Sequence, residues 1–400
     1  MTGRVFIRGA RVLTMGTGPG PRRGAALGDL VALDACDIEF ADGVVTTIGP
    51  GLSAPAGAEV IDARGRVVMP AFVDCHTHAC WAGDRLDEWV AKLGGATYLE
   101  LLEAGGGIMS TVRSVRAASD DLLAESLAER LRTMRAHGTG ACEVKSGYGL
   151  TTTDELRMLR AVVRAGRETG MPVSPTACIG HAIDPGEPSF VERTIAETLP
   201  AVSAEFPGIP IDAYCEQGAW SLADCLRLFD RAAELGHPAR IHADQFNDLG
   251  MIPEAVSHGF MSVDHLEAST PEHLRALAES GTFGVMLPCS GWHTDGRYAD
   301  GRAYVDAGGA LAIATNYNPG SSPCGSMATA IALAVRHLGL TPGEAIVAST
   351  ANPAALLGLE DRGRITVGGR ADLVMLRHTD ERMLAYEFGM NPVERVFGIG

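Results

Sequence analysis

Four hundred residues, 46% of them hydrophobic and 20% charged, describe an ordinary globular protein; the length exceeds a single core of ~100–200 residues, so one large barrel or a barrel with a smaller companion domain is expected. A formal net charge of −16 without a dense Lys/Arg cluster argues against nucleic acid and anionic membrane surfaces as partners. No apolar run approaches the ~20 residues of a membrane span; Arg4, Arg8 and Arg11 interrupt the amino terminus, and nine scattered Cys without a C-x-x-C pair fit a reducing compartment, so a cytoplasmic protein is expected.

Residues 1 to about 68 read as short β segments separated by Gly and Pro: RVFIRGARVLTM, CDIEFADGVVTTIG and AEVIDARGRVVM. The stretch from about 363, RGRITVGGRADLVML, and the later VERVFGIG share that character. The two ends, 1–68 and 363–400, are therefore expected to build one small β sandwich. Between them, over 69–362, eight apolar segments recur: AFVDCHTH (71–78), ACEVKSG (141–147), VSPTACIGH (173–181), IDAYCE (211–216), ARIHAD (239–244), MSVDHLE (261–267), TFGVMLP (282–288) and LAIATN (311–316). From the second onward, helix-compatible sequence such as TTDELRMLRAVVRAGRETG separates them, the alternation of a TIM (β/α)8 barrel. A doubly wound open sheet would share it, but no G-x-G-x-x-G follows the first strand. The glycines at 105–107, inside a long connection, read as a flexible lid hinge.

His76 and His78 stand two apart on a predicted strand, so both imidazoles project to one side and can grip one ion. Alone, H-x-H is a weak signal. His181, His242 and His265, however, end the third, fifth and sixth predicted strands, and a barrel places its active site at those carboxyl ends. His137, His237, His258, His273 and His337 fall in helical or connecting stretches and read as solvated or capping; His293, in CSGWHTDGRYADGR after the seventh strand, stays open. Cys75 and Cys80 flank the pair and are expected to pack away from the ion.

The segments VMPAFVDCHTHACWAGDR, TYLELLEAGGGIMSTVRSVRAAS, EVKSGYGL, IGHAIDP, AYCEQGAW, IHADQ, VDHLEA and NYNPGSSP, in this order, closely resemble the imidazolonepropionase family of the amidohydrolase superfamily across nearly the whole chain. KSGYGL, the triple glycine and NPGS are far more diagnostic than H-x-H. The resemblance implies that His76, His78 and His242, with position 316 as fourth ligand, hold one zinc or iron ion. It implies that hydroxide formed there opens the ring amide of 4-imidazolone-5-propanoate to give N-formimidoyl-L-glutamate, a step of histidine breakdown. His265 would orient the water or stabilise the developing oxyanion, and Gln245 would hydrogen-bond the ring. Arg85, Tyr148, His181, Asn318, Gly320 and Ser321 match substrate contacts, Arg85 suiting the carboxylate tail; from the residues alone, a surface salt bridge of Arg85 with Asp84 or Asp87 competes. Some two-metal relatives use a carboxylated Lys at the end of the fourth strand. Lys145 lies on the second, so a single ion is expected.

Two departures keep the alternatives open. The eighth strand ends in Asn316, where the family carries Asp, and Gln245 is an amide where some members have Glu; an amide offers only its carbonyl oxygen and is no base at neutral pH. Asn316 thus marks a substitution made to trap a substrate, an enzyme that has moved proton transfer to His265, or a relative that binds without turnover. The seventh-strand loop is also more polar than the family's. A related cyclic amidohydrolase or deaminase on another carboxylate-bearing ring, or a non-catalytic ligand-binding relative, therefore stands beside the leading reading. The expected partner is a small cyclic amide, and a homodimer is compatible with the sequence.

Overall fold

The computed structural model describes residues 3–16, 18, 20–95 and 106–398. Gly105 and most of the segment TYLELLEAGGG lie outside them, and with them part of the expected lid hinge; Gly107, at φ +72°, sits just before the helix Ile108–Ala117. Among the described residues no helix is long and apolar enough to cross a membrane.

The amino-terminal strands are β1 (Arg4–Leu13), β2 (Ala32–Ala41), β3 (Val44–Pro50), β4 (Glu59–Asp62) and β5 (Val67–Pro70). Asp42 and Gly43 both take positive φ, the two-residue turn whose twist suits a hairpin, and so join β2 to β3. The chain then enters the barrel strands β6 (Phe72–Asp74), β7 (Thr139–Lys145), β8 (Val173–Gly180), β9 (Ile211–Cys215), β10 (Ala239–Ala243), β11 (Ser262–His265), β12 (Phe283–Met286) and β13 (Leu311–Ile313). It returns through β14 (Leu373–Leu376) and β15 (Val393–Phe397), which lie against β5 to give a seven-stranded sheet ordered β15-β14-β5-β1-β2-β3, with β4 beside β1. Both chain ends thus share one core, in which Ile7, Val12, Ile38, Leu373 and the edge-to-face pair Phe40–Phe397 are buried.

The eight expected segments are the eight parallel strands, in sequence order. The barrel closes where Thr77 bridges Tyr317: His78 N–H donates to Tyr317 O and Asn316 N–H to His76 O, each at 3.0 Å. The hydrogen bonds that finish the barrel therefore run through the backbone of three expected ligands. Period-two alternation divides each strand, so that in β10 Ile241 and Ala243 pack into the outer apolar core while Arg240 and His242 take the other side. The helix Thr152–Thr169 is typical of the outer layer: Thr151 caps it, Met158, Leu159, Val162 and Ala165 are buried, and Gly170 in the left-handed region ends it.

Candidate active site

Four imidazoles converge at the carboxyl ends of the strands. Nε2 of His78 and Nε2 of His242 lie 3.0 Å apart, the ring of His76 is centred 4.5 Å from that of His242, and His181 stacks on His78 at 4.5 Å. Carboxylates and a carbonyl only accept, which fixes three tautomers. His76 Nδ1–H donates to Asp264 Oδ2 at 2.6 Å, His242 Nδ1–H to Asp212 Oδ1 at 2.9 Å and His181 Nδ1–H to Gly147 O at 3.0 Å. Their Nε2 atoms keep their lone pairs. Burial, and then neighbouring positive charge, holds His76 and His78 well below the usual imidazole range; burial pushes His181 down to about 3. Neutral rings are what ligation requires.

Nitrogens of His76, His242 and His265, and of His78, His181 and His242, fall within 4.8 Å of one another, close enough to share an ion. Among the described residues Nε2 of His76 is buried without a partner, and so is Oδ1 of Asn316, whose Nδ2–H donates to Ser290 Oγ at 2.7 Å. An orphaned lone-pair nitrogen and an orphaned carbonyl oxygen buried at one barrel mouth are groups that a cation satisfies. The donor set fits a divalent metal ion with mixed imidazole and oxygen ligands.

Beneath the histidines lies a buried charge network. Lys145 Nζ is 2.6 Å from both Glu143 Oε1 and Asp212 Oδ2, and Arg240 reaches Asp264 at 2.8 Å and Glu143 at 3.2 Å. Lys145 is engaged as an ammonium and lies on the second barrel strand. Asp212, Asp264, Glu143 and Arg240 did not stand out in the sequence, although charges interrupting apolar strands are a usable signal, since fully buried Asp, Glu and Arg require partners.

The expected substrate contacts sit around the same mouth. Arg85 forks onto Glu88 at 2.6 and 2.5 Å, so its partner is neither Asp84 nor Asp87. Its Nη1 turns instead towards Thr111 and Gly320, where any Cβ would come within 2.9 Å of it. Asn318 Oδ1 accepts from the N–H groups of Gly320 and Ser321 at 2.9 and 2.8 Å, folding that loop tightly beside Arg85. Tyr148 is buried 5.2 Å from His181, on a loop whose Gly147, Gly149 and Leu150 N–H groups all donate to Glu155. Gln245 Oε1 accepts from the hydroxyl of Tyr214 at 2.8 Å, a partner the sequence did not suggest. His265 places Nδ1 at 3.2 Å from Glu267. Cys75 and Cys80 are buried in apolar clusters. His293 ends the helix Pro288–His293 and joins none of the ligand clusters among the described residues. His273, read as solvated or capping, is a half-buried partner of Asp248 at 2.7 Å.

The model of the amidohydrolase family matches residues 67–397. Imidazolonepropionase of Herpetosiphon aurantiacus is 43% identical over 96% of this chain and 94% of its own length, and that of Deinococcus radiodurans 44% over 96% and 95%. Among solved structures, a triazine hydrolase variant superposes with a TM-score of 0.78 at 18% identity over 99% of this chain and 94% of its own. Atrazine chlorohydrolase of Arthrobacter aurescens complexed with zinc gives 0.70 at 17% over 98% and 93%. At such identity these two speak for the fold alone, whereas identity above two fifths over nearly the whole length speaks for the family. The chain belongs to the imidazolonepropionase family of the amidohydrolases.

Proposed function

We propose that this chain hydrolyses 4-imidazolone-5-propanoate to N-formimidoyl-L-glutamate, using one zinc or iron ion held by His76, His78, His242 and the carbonyl oxygen of Asn316. The observation that carries the reading is a cluster of neutral buried imidazoles sharing one barrel mouth with a guanidinium, Arg85. That pairing suits a reacting ring at one end and a carboxylate tail at the other.

When bound, the ion supplies Lewis acidity, lowering the pKa of water towards neutrality and polarising the ring carbonyl. Asp264 and Asp212 keep His76 and His242 in the tautomer that presents Nε2. Arg85, with Gly320, Ser321 and Asn318 beside it, takes the carboxylate and sets the register of the ring. Tyr148, His181 and Gln245 line the ring's position. His265 accepts the proton released as water oxygen bonds to the carbonyl carbon, and returns a proton to the ring nitrogen as the C–N bond breaks.

The test is loss of imidazolone absorbance with the chain at full metal occupancy, with the product identified by mass. Formation of N-formimidoyl-L-glutamate without ammonia is expected. Ammonia release would point to a deaminase, and tight binding without turnover to a ligand-binding relative; either result ends this proposal.

A further inference from the structure

Both obvious carboxylate bases are missing from this site, since positions 316 and 245 are amides. Asp264 and Asp212 cannot replace them: the first is shared by His76 and Arg240, the second by His242 and Lys145. Glu267 stands apart from that network. Its Oε1 faces Nδ1 of His265 at 3.2 Å, both side chains are nearly inaccessible, and its Oε2 is buried without a hydrogen-bond partner among the described residues.

The backbone is bent to make this contact. His265 has φ +94° and Leu266 φ +75°, two consecutive non-glycine residues in the region that side chains avoid. Such conformations persist where the surroundings over-determine them, and they cluster at functional sites. Here the bend turns the chain sharply as it leaves β11, and within it Glu267 meets the imidazole two residues before it.

We infer that Glu267 is the positioning residue that makes His265 the base of this enzyme, a carboxylate supplied behind the histidine where Asn316 supplies none at the ion. The inference rests on the hydrolytic reading above. Because a carboxylate only accepts, Nδ1 of His265 carries the proton and Nε2 keeps the lone pair. One nitrogen of His265 lies within 4.8 Å of nitrogens of His76 and His242, so the ring stands beside the ion's ligands. As the water oxygen bonds to the carbonyl carbon, Nε2 takes the water's proton and the ring becomes an imidazolium. As the C–N bond breaks, that proton passes to the leaving ring nitrogen. Glu267 keeps its bond to Nδ1–H throughout. Its half-unpartnered buried charge is stabilised when the imidazolium forms, so it lowers the barrier where positive charge develops.

The experiment uses the metal-loaded full chain and two variants with different losses. Glu267→Ala removes the acceptor and the charge, whereas Glu267→Gln keeps an acceptor for Nδ1–H and removes only the charge. Nitrogen-15 NMR of the His265 ring, assigned by its disappearance in His265→Asn, reads the tautomer without reference to activity. The Nδ1–H form is expected in the parent and in Glu267→Gln, and the Nε2–H form in Glu267→Ala. Turnover should fall about 100-fold in Glu267→Ala and about 10-fold in Glu267→Gln, with KM within about twofold, the size of effect an outer carboxylate has on a histidine. In the Asn316→Asp background the same substitutions should cost only a few-fold, because a carboxylate is then available at the ion. An unchanged tautomer in Glu267→Ala, or equal turnover losses with and without Asn316→Asp, overturns the inference. If the parent shows no hydrolysis, the hydrolytic reading fails alone: a tautomer switch still establishes the positioning contact, and its absence removes that as well.

Discussion

In the proposed mechanism Asn316 stands at the position whose side chain would ligate the ion and, were it a carboxylate, accept the water's proton. Its Nδ2–H donates to Ser290 Oγ, and an aspartate there would accept from the same hydroxyl, so the exchange keeps the local hydrogen bond. Asn316→Asp is therefore expected to fold normally, bind the ion more tightly, and turn over faster by no more than about tenfold, because His265 already supplies a general base. The comparison must be made at matched metal occupancy; a variant no faster than its parent would mean that the amide belongs to a working mechanism of its own. Arg85 is the second decisive residue. Against burial, which raises it, the hydrogen bonds from Arg85 hold the Glu88 carboxyl down at about 2. Arg85→Ala should weaken carboxylate-bearing ligands by about 2–5 kcal/mol, the cost of unpairing a desolvated charge. Titration with ligands lacking the carboxylate isolates this from lost packing, because their affinity should hardly change.

At the scale of elements, the barrel strands carry two codes at once. Their outward residues are a hydrophobic wall, and their inward residues are charges that must find one another: Lys145 on β7 with Asp212 on β9, Arg240 on β10 with Asp264 on β11. Breaking a buried pair by removing one partner is far more costly than never having built it. Lys145→Met leaves Asp212 without its cation and Glu143 with Arg240 alone, and should lower unfolding free energy by ~3–5 kcal/mol in a denaturant titration. The metal content of the folded fraction should nonetheless persist, since Lys145 is an ion-pair partner; loss of the ion would reinstate a carboxylated lysine. This division explains what the sequence disclosed. The eight strands were legible because apolar runs recur with helix-compatible sequence between them, and four of the runs carry histidines at or near their ends; the hairpin turn at Asp42-Gly43 was not, because CDIEFADGVVTTIG reads as one β segment. The supporting carboxylates were not, because His76 and Asp264 are 188 residues apart and meet only when the barrel has closed in one register. Glu88 was missed for a local reason: three residues along a helix face Arg85, as the neighbours Asp84 and Asp87 do not.

For the whole molecule, the site sets how stability answers to pH and metal. His76, His78, His181 and His242 are buried as neutral rings, with His181 held by burial at about 3. Once unfolded, each takes up a proton near pH ~6.5. Below that pH the unfolded state therefore binds more protons than the native one, and stability falls as pH falls. Four carboxyls act the other way, with burial raising Glu155 and Asp372 as well as Asp74 and Asp244. Burial raises Asp74 to about 7 and Asp244 to about 6, so between those values and the ordinary carboxyl range near ~3.9 the native state holds their protons and gains. With His293 also lowered by burial, five histidines stand against these four acids, and the metal-free protein should lose melting temperature from pH 7 to 5. Saturating ion adds stability by mass action, ~4 kcal/mol at a thousandfold excess over Kd. That increment should change little over the same pH range, because the native rings are already neutral there and need release no proton to ligate. Calorimetry at several pH values, with chelator or with zinc, measures both slopes. Elemental analysis should find one ion per chain, and His76→Ala should abolish the increment while leaving the metal-free protein able to fold. A metal increment that survived His76→Ala would mean that the stabilising ion sits on other ligands elsewhere, and the histidine cluster would lose its claim to be the metal centre.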